Sequence, residues 1–276
     1  MNAERQQELQ RLCLRFRNQL IDLLYHIQTG HPGGSLSCTE ILTTLYYEKI
    51  RQDPRQPDME GRDRLILSKG HAAPILYIIL AELGYFPKEE LKTLRQINSN
   101  LQGHPCLHKT PGVELSTGPL GLGLGAGLGM SLSERLKGSE AYTYVVLGDG
   151  EIQEGSVWEA ALAASKFQAD HLIAVLDNNG VQLDGTLEEV MPMGDISAKW
   201  AAFGWNVLTC DGHDVKSISD ALDKAVACKG KPVIIIADTV KGKGVSFMEG
   251  KNIWHGKPIG EEDYKAAKID LGGTPA

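Results

Sequence analysis

The chain has 276 residues, of which 28 are lysine or arginine and 35 are aspartate or glutamate, giving a formal net charge of −7. This acidic balance argues against a nucleic-acid scaffold, which normally carries a basic surface. No apolar run reaches the roughly 20 residues that span a membrane, and the polar residues 1–7 contain no secretory signal. The five scattered cysteines form no CxxC pair, which is typical of the reducing cytosol, so a cytoplasmic location is expected.

The first third of the chain is predicted to be mainly helical. Apolar residues recur at spacings of three and four over 4–28, which predicts an amphipathic helix. A helix start signal at 37–40 follows a glycine-rich turn. The elements predicted up to residue 84 are a helix over 4–28, a turn at 30–34, a helix from 37 through Tyr47, a surface loop at 51–64, a strand at 65–67 and a helix at 72–84.

Two segments in the middle of the chain are unusual. Residues 95–120 show little periodicity, which predicts an ordered loop, and a loop of that length in a compact domain is usually functional. Five glycines then recur between 121 and 129, at every second position. On a helix they would form a smooth face for close packing, which has to compensate for a cost of ~1 kcal/mol for each interior glycine relative to alanine.

From residue 142 onwards strands and helices alternate. Continuous β-branched runs such as 233–236 suit strands that are buried on both faces of a parallel sheet. The alternation predicts an α/β fold with a mostly parallel central sheet flanked by helices. No linker or repeat interrupts the sequence, so a single domain over 1–276 is expected. The predicted elements are strands at 142–147, 172–176, 205–209 and 233–237 and helices at 157–167 and 215–228.

The segment Gly148-Asp149-Gly150 directly follows the strand predicted at 142–147. In open α/β sheets, ligands bind beyond the carboxyl ends of the strands. The two glycines allow a tight turn and a close approach of the backbone to a ligand. Asp149 offers a hard anionic oxygen that suits magnesium or calcium. Taken alone, the segment is equally well explained as a strand-to-helix turn.

A second segment, Asp177-Asn178-Asn179, follows the next predicted strand. Asn179 lies 30 residues after Asp149, which is enough for one strand, crossover helix and strand. A right-handed crossover brings both segments to the same sheet edge. We therefore expect Asp149 and Asn179 to bind one metal ion, Mg²⁺ or Ca²⁺, with a backbone carbonyl near Val181 adding a third oxygen. Mg²⁺ commonly completes its octahedron with phosphate oxygens and water.

The paired segments resemble the signature of enzymes that bind thiamine diphosphate, and the chain as a whole resembles the N-terminal portion of transketolase. The matching segments occur in the order of the family and cover most of the chain. They are Gly30-His31-Pro32-Gly33-Gly34-Ser35-Leu36-Ser37, Leu67-Ser68-Lys69-Gly70-His71-Ala72, Gly103-His104-Pro105, Ser116-Thr117-Gly118-Pro119-Leu120-Gly121, the segment that begins at Gly148, the segment that begins at Asp177, and Trp254-His255-Gly256.

The resemblance implies a role for each matching residue. It places His71 and His255 near the diphosphate and the reacting centre, and His31 and His104 at the hydroxyls of the donor sugar. Glu154 matches a carboxylate that is linked to the catalytic glutamate of a neighbouring subunit. The residues implied to contact the cofactor are His71, Gly118, Leu120, Gly148, Asp149, Gly150, Glu154, Asn179, Val181, Leu183 and His255.

The resemblance also implies that two further domains of transketolase, the pyrimidine-binding and C-terminal domains, lie outside this chain. The sequence is therefore interpreted as the N-terminal subunit of a split transketolase, in preference to a truncated chain, because both ends look complete. A C-terminal subunit would then supply the catalytic glutamate, in a dimer of heterodimers. The implied reaction is transfer of a two-carbon ketol group from a ketose to an aldose, either of which can carry a phosphate.

Other functions were weighed against this one. The α subunit of a 2-oxo-acid dehydrogenase and deoxyxylulose-phosphate synthase are less consistent with the segments around His31 and His104. A non-catalytic relative remains an alternative. A Rossmann dehydrogenase is disfavoured, because this chain has no acidic residue at the strand end where such an enzyme needs one. The segment from Lys241 to Gly244 fits phosphate binding and a flexible loop with solvated charge equally well, and it is not assigned to the site. The remaining histidines are interpreted as surface or packing residues. Those histidines are His26, His108, His171 and His213.

Overall fold

The computed structural model describes residues 1–273. The proposed completeness of the C-terminal tail concerns residues 274–276 and lies outside that range. The described range contains ten α-helices and five β-strands, which alternate in the second half of the chain. No helix in this range is both long and apolar enough to cross a bilayer.

The helices and strands follow one another in the order of the sequence. The first four helices and first strand are α1 (Ala3–Ile27), α2 (Pro32–Ser37), α3 (Thr39–Thr44), β1 (Arg64–Leu67) and α4 (Ala73–Leu83). The central part contains α5 (Gly123–Leu136), β2 (Thr143–Gly148), α6 (Gly155–Lys166) and β3 (Leu172–Asn178). The remainder contains α7 (Leu187–Val190), α8 (Ile196–Ala202), β4 (Asn206–Asp211), α9 (Val215–Ala227), β5 (Val233–Asp238) and α10 (Glu261–Asp270).

The strands form one parallel sheet in the order β1-β2-β3-β5-β4, which confirms the predicted fold class. Alternate side chains of a strand point to opposite faces. Accordingly, Ile235 packs with α1, α4 and α9 on one face, whereas Ile234 packs with α5, α6 and α8 on the other. Burial on both faces explains why β5 is a continuous apolar run.

Two predictions for local structure were wrong in part. The turn predicted at 30–34 is shorter, because α2 already begins at Pro32, a residue that suits the first turn of a helix. Gly30 (φ +123°) makes the turn by itself. The predicted helix from 37 to Tyr47 is present as α3, with a π-helical extension over Leu45–Lys49.

The prediction that the glycines of α5 form one smooth packing face is also only partly correct. Gly123 and Gly127 do pack closely, since a Cβ on them would lie 2.2 Å from Ser68 Oγ and 2.5 Å from Val145 Cγ2. Gly125 and Gly129, however, are exposed on the opposite side of the helix. Close packing therefore explains Gly123 and Gly127. It does not explain Gly125 and Gly129.

Candidate active site

The functional residues lie where four strands of the sheet end. The loops after β1, β2, β3 and β5 all leave the same edge, because parallel strands share one direction. Together with α2 and the loop around His255, they line a cavity. Its walls are formed by Gly34, Lys69, His71, Leu120, Gly148, Asp149, Gly150, Glu151, Asn179, Val181, Gln182, Leu183, Lys241 and His255.

Asp149 is held at the end of β2 by two backbone donors. Its carboxylate accepts hydrogen bonds from Gly150 N, at 2.8 Å, and from Gly180 N across the crossover. Gly180 has φ +74°, a conformation that favours glycine, and so its amide can face Asp149. Burial, together with the negative charge of Asp177, raises the pKa of Asp149 to about 6. A nearby cation would therefore stabilise the ionised form of this carboxylate.

Asn179 and Val181 stand beside Asp149. Asn179 Oδ1 accepts a hydrogen bond of 3.1 Å from Val181 N, and its amide nitrogen lies 3.3 Å from Asp177 Oδ2. The structure thus brings together the three residues that the sequence assigned to one metal ion. Within residues 1–273, no cluster of three or more histidine, cysteine, aspartate or glutamate side chains could hold a metal. A metal at this edge would have to bind one carboxylate, an amide oxygen and a carbonyl.

Asp177 is not among the residues that line the cavity, but it joins the loops that do. It is fully buried and forms an ion pair with Lys69, which is 1% exposed. Its carboxylate also accepts hydrogen bonds from Ser37, at 2.5 Å, and from Thr239. One aspartate therefore joins α2, the loop after β1 and the loop after β5. The charge of Lys69 keeps the pKa of Asp177 below its usual range despite the opposing effect of burial.

Lys241 is the functional candidate that the sequence interpretation missed. Its side chain is 2% exposed and lines the cavity, whereas the neighbouring Lys243 faces solvent and pairs with Glu249. Lys241 Nζ donates to the carbonyl of Val181, at 2.8 Å, and to His255 Nδ1, at 2.9 Å. Burial, and then the charge of Lys69, lower the pKa of Lys241 to about 8. A buried cation in a cavity is well suited to an anionic ligand.

The sequence contained a signal for Lys241 and for Glu151. Both follow strand ends at the carboxyl edge, within three residues of β5 and β2, where ligand-binding residues are expected. Glu151 is buried and accepts hydrogen bonds from Gly121 N, at 2.9 Å, and Gly148 N, at 3.0 Å. It thereby ties the loop before α5 to the end of β2. His213, interpreted as an ordinary residue, accepts a 2.8 Å hydrogen bond from Val240 N beside Lys241.

The four histidines selected from the sequence come together at the mouth of the cavity. The ring centroid of His31 lies 5.4 Å from that of His71, 5.4 Å from that of His255 and 6.4 Å from that of His104. His71 and His255 are 4.9 Å apart. These residues come from three separate loops and the start of α2, so the cluster is a product of the tertiary fold.

The four histidines are less basic than a free histidine side chain. Burial, followed by neighbouring positive charges, lowers the pKa of His31 to about 4 and that of His255 to about 3. The pKa of His71 is also lowered, as is that of His104, again chiefly by burial. At neutral pH the four rings are therefore neutral. They can donate and accept hydrogen bonds, but the rings themselves carry no positive charge.

The remaining predicted site residues lie at the rim. Leu120 and Leu183 line the cavity with partly exposed side chains, 38% and 58% respectively. Gly118 packs against the ring of His104, since a Cβ on Gly118 would lie 3.3 Å from His104 Cγ. Glu154 lies directly before α6 and is exposed, outside the cavity lining and near Gly121.

Parallel α/β architecture with an oxygen-rich, lysine-containing cavity at its carboxyl edge defines a protein that binds a phosphate-bearing cofactor. Residues 10–276 match the family model described as the transketolase, thiamine diphosphate binding domain. The chain belongs to the transketolase family. This membership confirms the predicted enzyme family and the predicted thiamine diphosphate cofactor, and it disfavours the other enzyme classes that were weighed.

Similar proteins agree with this membership. The 6-deoxy-6-sulfo-D-fructose transketolase subunit of Clostridium sp. (strain MSTE9) is 42% identical over 269 residues, which cover 98% of both chains. An apulose-4-phosphate transketolase subunit of Actinobacillus succinogenes is 43% identical, over 92% of this chain and 93% of its own. The solved transketolase of Leishmania mexicana superposes with a TM-score of 0.92 at 32% identity, over 97% of this chain but only 42% of that one.

Proposed function

We propose that the chain is the diphosphate-binding subunit of a two-chain transketolase. It would transfer a two-carbon ketol group from a ketose to an aldose, in company with a second polypeptide. The observation that carries this proposal is that His71 and His255 line one cavity with Asp149 and Asn179, and that His31 and His104 cluster with these two histidines. Relatives of nearly the same length are themselves named as transketolase subunits, which supports a partner chain.

Asp149, Asn179 and the Val181 carbonyl would hold a divalent metal, Mg²⁺ or Ca²⁺. All three offer hard oxygens, and the remaining positions on Mg²⁺ are commonly taken by phosphate and water. The raised pKa of Asp149 fits this role, because a buried carboxylate without a neighbouring cation resists ionisation. A metal on the Val181 carbonyl would displace Lys241 Nζ, which would then be free to bind a diphosphate oxygen.

Other residues of the cavity would hold the rest of the cofactor. The backbone of Gly148 and Gly150 would approach the diphosphate closely, and His71 and His255 would stand beside it. Gly118, Leu120 and Leu183 would contact the rings. When bound, thiamine diphosphate supplies the nucleophilic carbon that carries the two-carbon group.

His31 and His104 would bind hydroxyl and carbonyl oxygens of the sugar. Because both rings are neutral at physiological pH, each carries one N–H donor and one acceptor nitrogen. A neutral cluster of this kind suits a polyhydroxylated substrate better than an anionic one. Recognition of a terminal phosphate or sulfonate is then expected from the second polypeptide.

Glu154 would meet the catalytic glutamate of that second polypeptide. Its exposure and its place outside the cavity lining support a contact with another chain. The assembly we propose is a dimer of heterodimers in the cytoplasm. The Glu154→Gln variant should bind thiamine diphosphate normally in the mixed assembly but lose most of its activity.

The central test is calorimetric binding of thiamine diphosphate, with and without Mg²⁺, after the partner chain has been added. Asp149→Ala should abolish the Mg²⁺-dependent part of the affinity. Asp184→Ala is the matched control, because Asp184 is an exposed carboxylate in the same loop as Asn179. Normal Mg²⁺-dependent binding by Asp149→Ala would contradict the metal assignment, and strong ketol transfer by the isolated chain would contradict the two-chain proposal.

A further inference from the structure

Arg95 adopts a backbone conformation that residues with a side chain seldom use. It is the first residue of the long loop over 95–120 and has φ +64°. The left-handed region costs an L-residue roughly 1–2 kcal/mol, and such strain persists where the surrounding structure requires it. The amide of Arg95 donates to the carbonyl of Leu101, at 3.0 Å, and so the strained residue is fixed in place. A glycine would adopt this conformation without strain, which suggests that the side chain is required.

The guanidinium of Arg95 reaches across to the segment that begins α2. Its Nη1 donates to Thr29 Oγ1, at 3.0 Å, and its Nη2 lies 3.3 Å from His31 Nδ1. The guanidinium is half-buried, and its Nε atom is buried with no hydrogen-bond partner. Arg95 Nη2 also donates to the carbonyl of Gly103, at 3.5 Å, so the guanidinium is held by Thr29 and Gly103 and contacts one ring of the histidine cluster.

The direction of the Arg95–His31 hydrogen bond follows from the chemistry of arginine. A guanidinium has only donors and stays protonated in proteins. The Nδ1 atom of His31 must therefore accept, so it carries a lone pair and the ring proton sits on Nε2. Within residues 1–273, Nε2 makes no hydrogen bond. It lies 4.0 Å from the place where a Cβ of Gly256 would stand.

We propose that Arg95 is a positioning residue that holds His31 in the Nε2–H tautomer, so that His31 donates a hydrogen bond to a substrate oxygen. The donor proton would then be available for a carbonyl or hydroxyl oxygen of the sugar. The contact with the sugar rests on the proposed ketol-transfer function. The assignment of the tautomer rests only on the hydrogen bond between Arg95 and His31. Sequence patterns give no sign of this role, because Arg95 and His31 are 64 residues apart.

The charges around His31 reinforce this assignment. The groups that face it are the guanidinium of Arg95, the ammonium of Lys241 and the rings of His71, His104 and His255. Arg95, His104 and Lys241, added to burial, lower the pKa of His31 to about 4. The ring is thus neutral at pH 7 and has a single proton. Arg95 decides which nitrogen carries that proton.

The tautomer can be measured directly by long-range ¹H–¹⁵N correlation NMR on the full chain labelled with ¹⁵N-histidine. The His31 signals are assigned by their loss in the His31→Gln variant. The wild type should show a protonated Nε2 and a bare Nδ1. Arg95→Met should give a mixture of tautomers, while Arg95→Lys, which keeps a donor, should retain more of the Nε2–H form. Lys92→Met is the matched control, because it removes an exposed cation from the preceding turn.

Two NMR results would overturn the assignment. One is a wild-type His31 that is protonated at Nδ1, and the other is an Arg95→Met protein with an unchanged tautomer. Circular dichroism and the thermal midpoint show whether Arg95→Met is folded. If that variant is unfolded, the His31 tautomer is compared between Arg95→Lys and the wild type instead. A folded Arg95→Met protein with the wild-type pattern therefore counts against the proposal.

Kinetics of the assembled two-chain enzyme test the functional half. Arg95→Met should lower kcat/KM for the donor ketose about tenfold, the effect of one lost hydrogen bond, with unchanged affinity for thiamine diphosphate. Arg95→Lys should recover part of that loss. Unchanged kcat/KM in a variant with a changed tautomer would refute the role in substrate binding. Absence of ketol transfer by the wild-type assembly would instead refute the proposed function and leave the tautomer intact.

Discussion

The ammonium of Lys241 donates a hydrogen bond of 2.8 Å to the backbone carbonyl of Val181. That carbonyl is the same group that we propose as a metal ligand. The ammonium group of Lys241 and a bound metal ion would therefore compete for the same carbonyl oxygen. A metal bound there would place a second cation beside Lys241 Nζ, and an anionic ligand such as a phosphate group would offset both charges.

Lys241→Met should weaken binding of thiamine diphosphate by roughly 10- to 100-fold. The reason is the loss of one charge-assisted hydrogen bond in a buried site, which contributes about 1.5–3 kcal/mol. The measurement is calorimetric titration of the assembled two-chain enzyme at saturating Mg²⁺. Lys243→Met is the control, because Lys243 carries the same charge two residues away and is exposed. Equal losses in the two variants would mean that Lys241 acts only through long-range charge.

Lys69→Met should destabilise the fold by about 3–5 kcal/mol, since it leaves the buried carboxylate of Asp177 without its partner. The free energy of unfolding in urea, at neutral pH, measures this. Lys216→Met breaks the pair with Asp220 and should cost much less, because solvent screens an exposed ion pair. If the two variants lose similar amounts, the Lys69–Asp177 pair does not organise the loops as described.

The two sides of α5 should respond to alanine in opposite ways. Gly129→Ala adds a methyl group in open space on an exposed helical surface and should stabilise the chain by about 0.5–1 kcal/mol. Gly127→Ala places its methyl group against Val145 and should destabilise the chain by about 1–3 kcal/mol. Thermal and urea unfolding of the isolated chain report both values. Stabilisation by Gly127→Ala would show that α5 can move away from the sheet at little cost.

The sequence was sufficient to predict the parallel sheet, because each strand is a short apolar run that can be recognised from its own residues and is separated from the next strand by a helix. Runs such as β5 and the helical periodicity of α1 each lie within one segment, so their prediction needs no knowledge of distant contacts. The positions after strand ends were equally informative, since parallel strands bring their carboxyl ends together. Asp149 and Asn179 were found in this way.

Burial of individual charged residues could not be predicted in the same way. Lys69 and its partner Asp177 are 108 residues apart, and nothing in either local sequence indicates the pairing. Lys241 and Lys243 belong to one polar stretch, and only the tertiary fold turns one into the cavity and the other to solvent. The side of α5 that packs on the sheet was uncertain for the same reason, because glycine shows no hydrophobic periodicity.

The neutral state of His31 should affect the pH dependence of stability. Its pKa is about 4 in the folded chain, against a usual value of 6.5, chiefly because burial disfavours the charged ring. Between these two values the unfolded chain binds more protons than the folded chain, so stability increases with pH across this window. Stated in the other direction, stability is lost as the pH falls from about 6.5 to about 4, and the loss is complete below that range.

His31→Asn removes this contribution and should therefore lose less stability on acidification than the wild type. Allowing for the partial exposure of the ring, we expect the difference in unfolding free energy between the two proteins to change by about 1–2 kcal/mol between pH 7 and pH 4.5. Urea denaturation at both pH values measures it, with His26→Asn as the control because His26 is exposed on α1. In all three proteins burial keeps the pKa values of His71 and His255 low, so the difference between proteins mainly reports His31. An identical pH response in His31→Asn and the wild type would mean that His31 is not held neutral, and its place in the cluster would then have to be reconsidered.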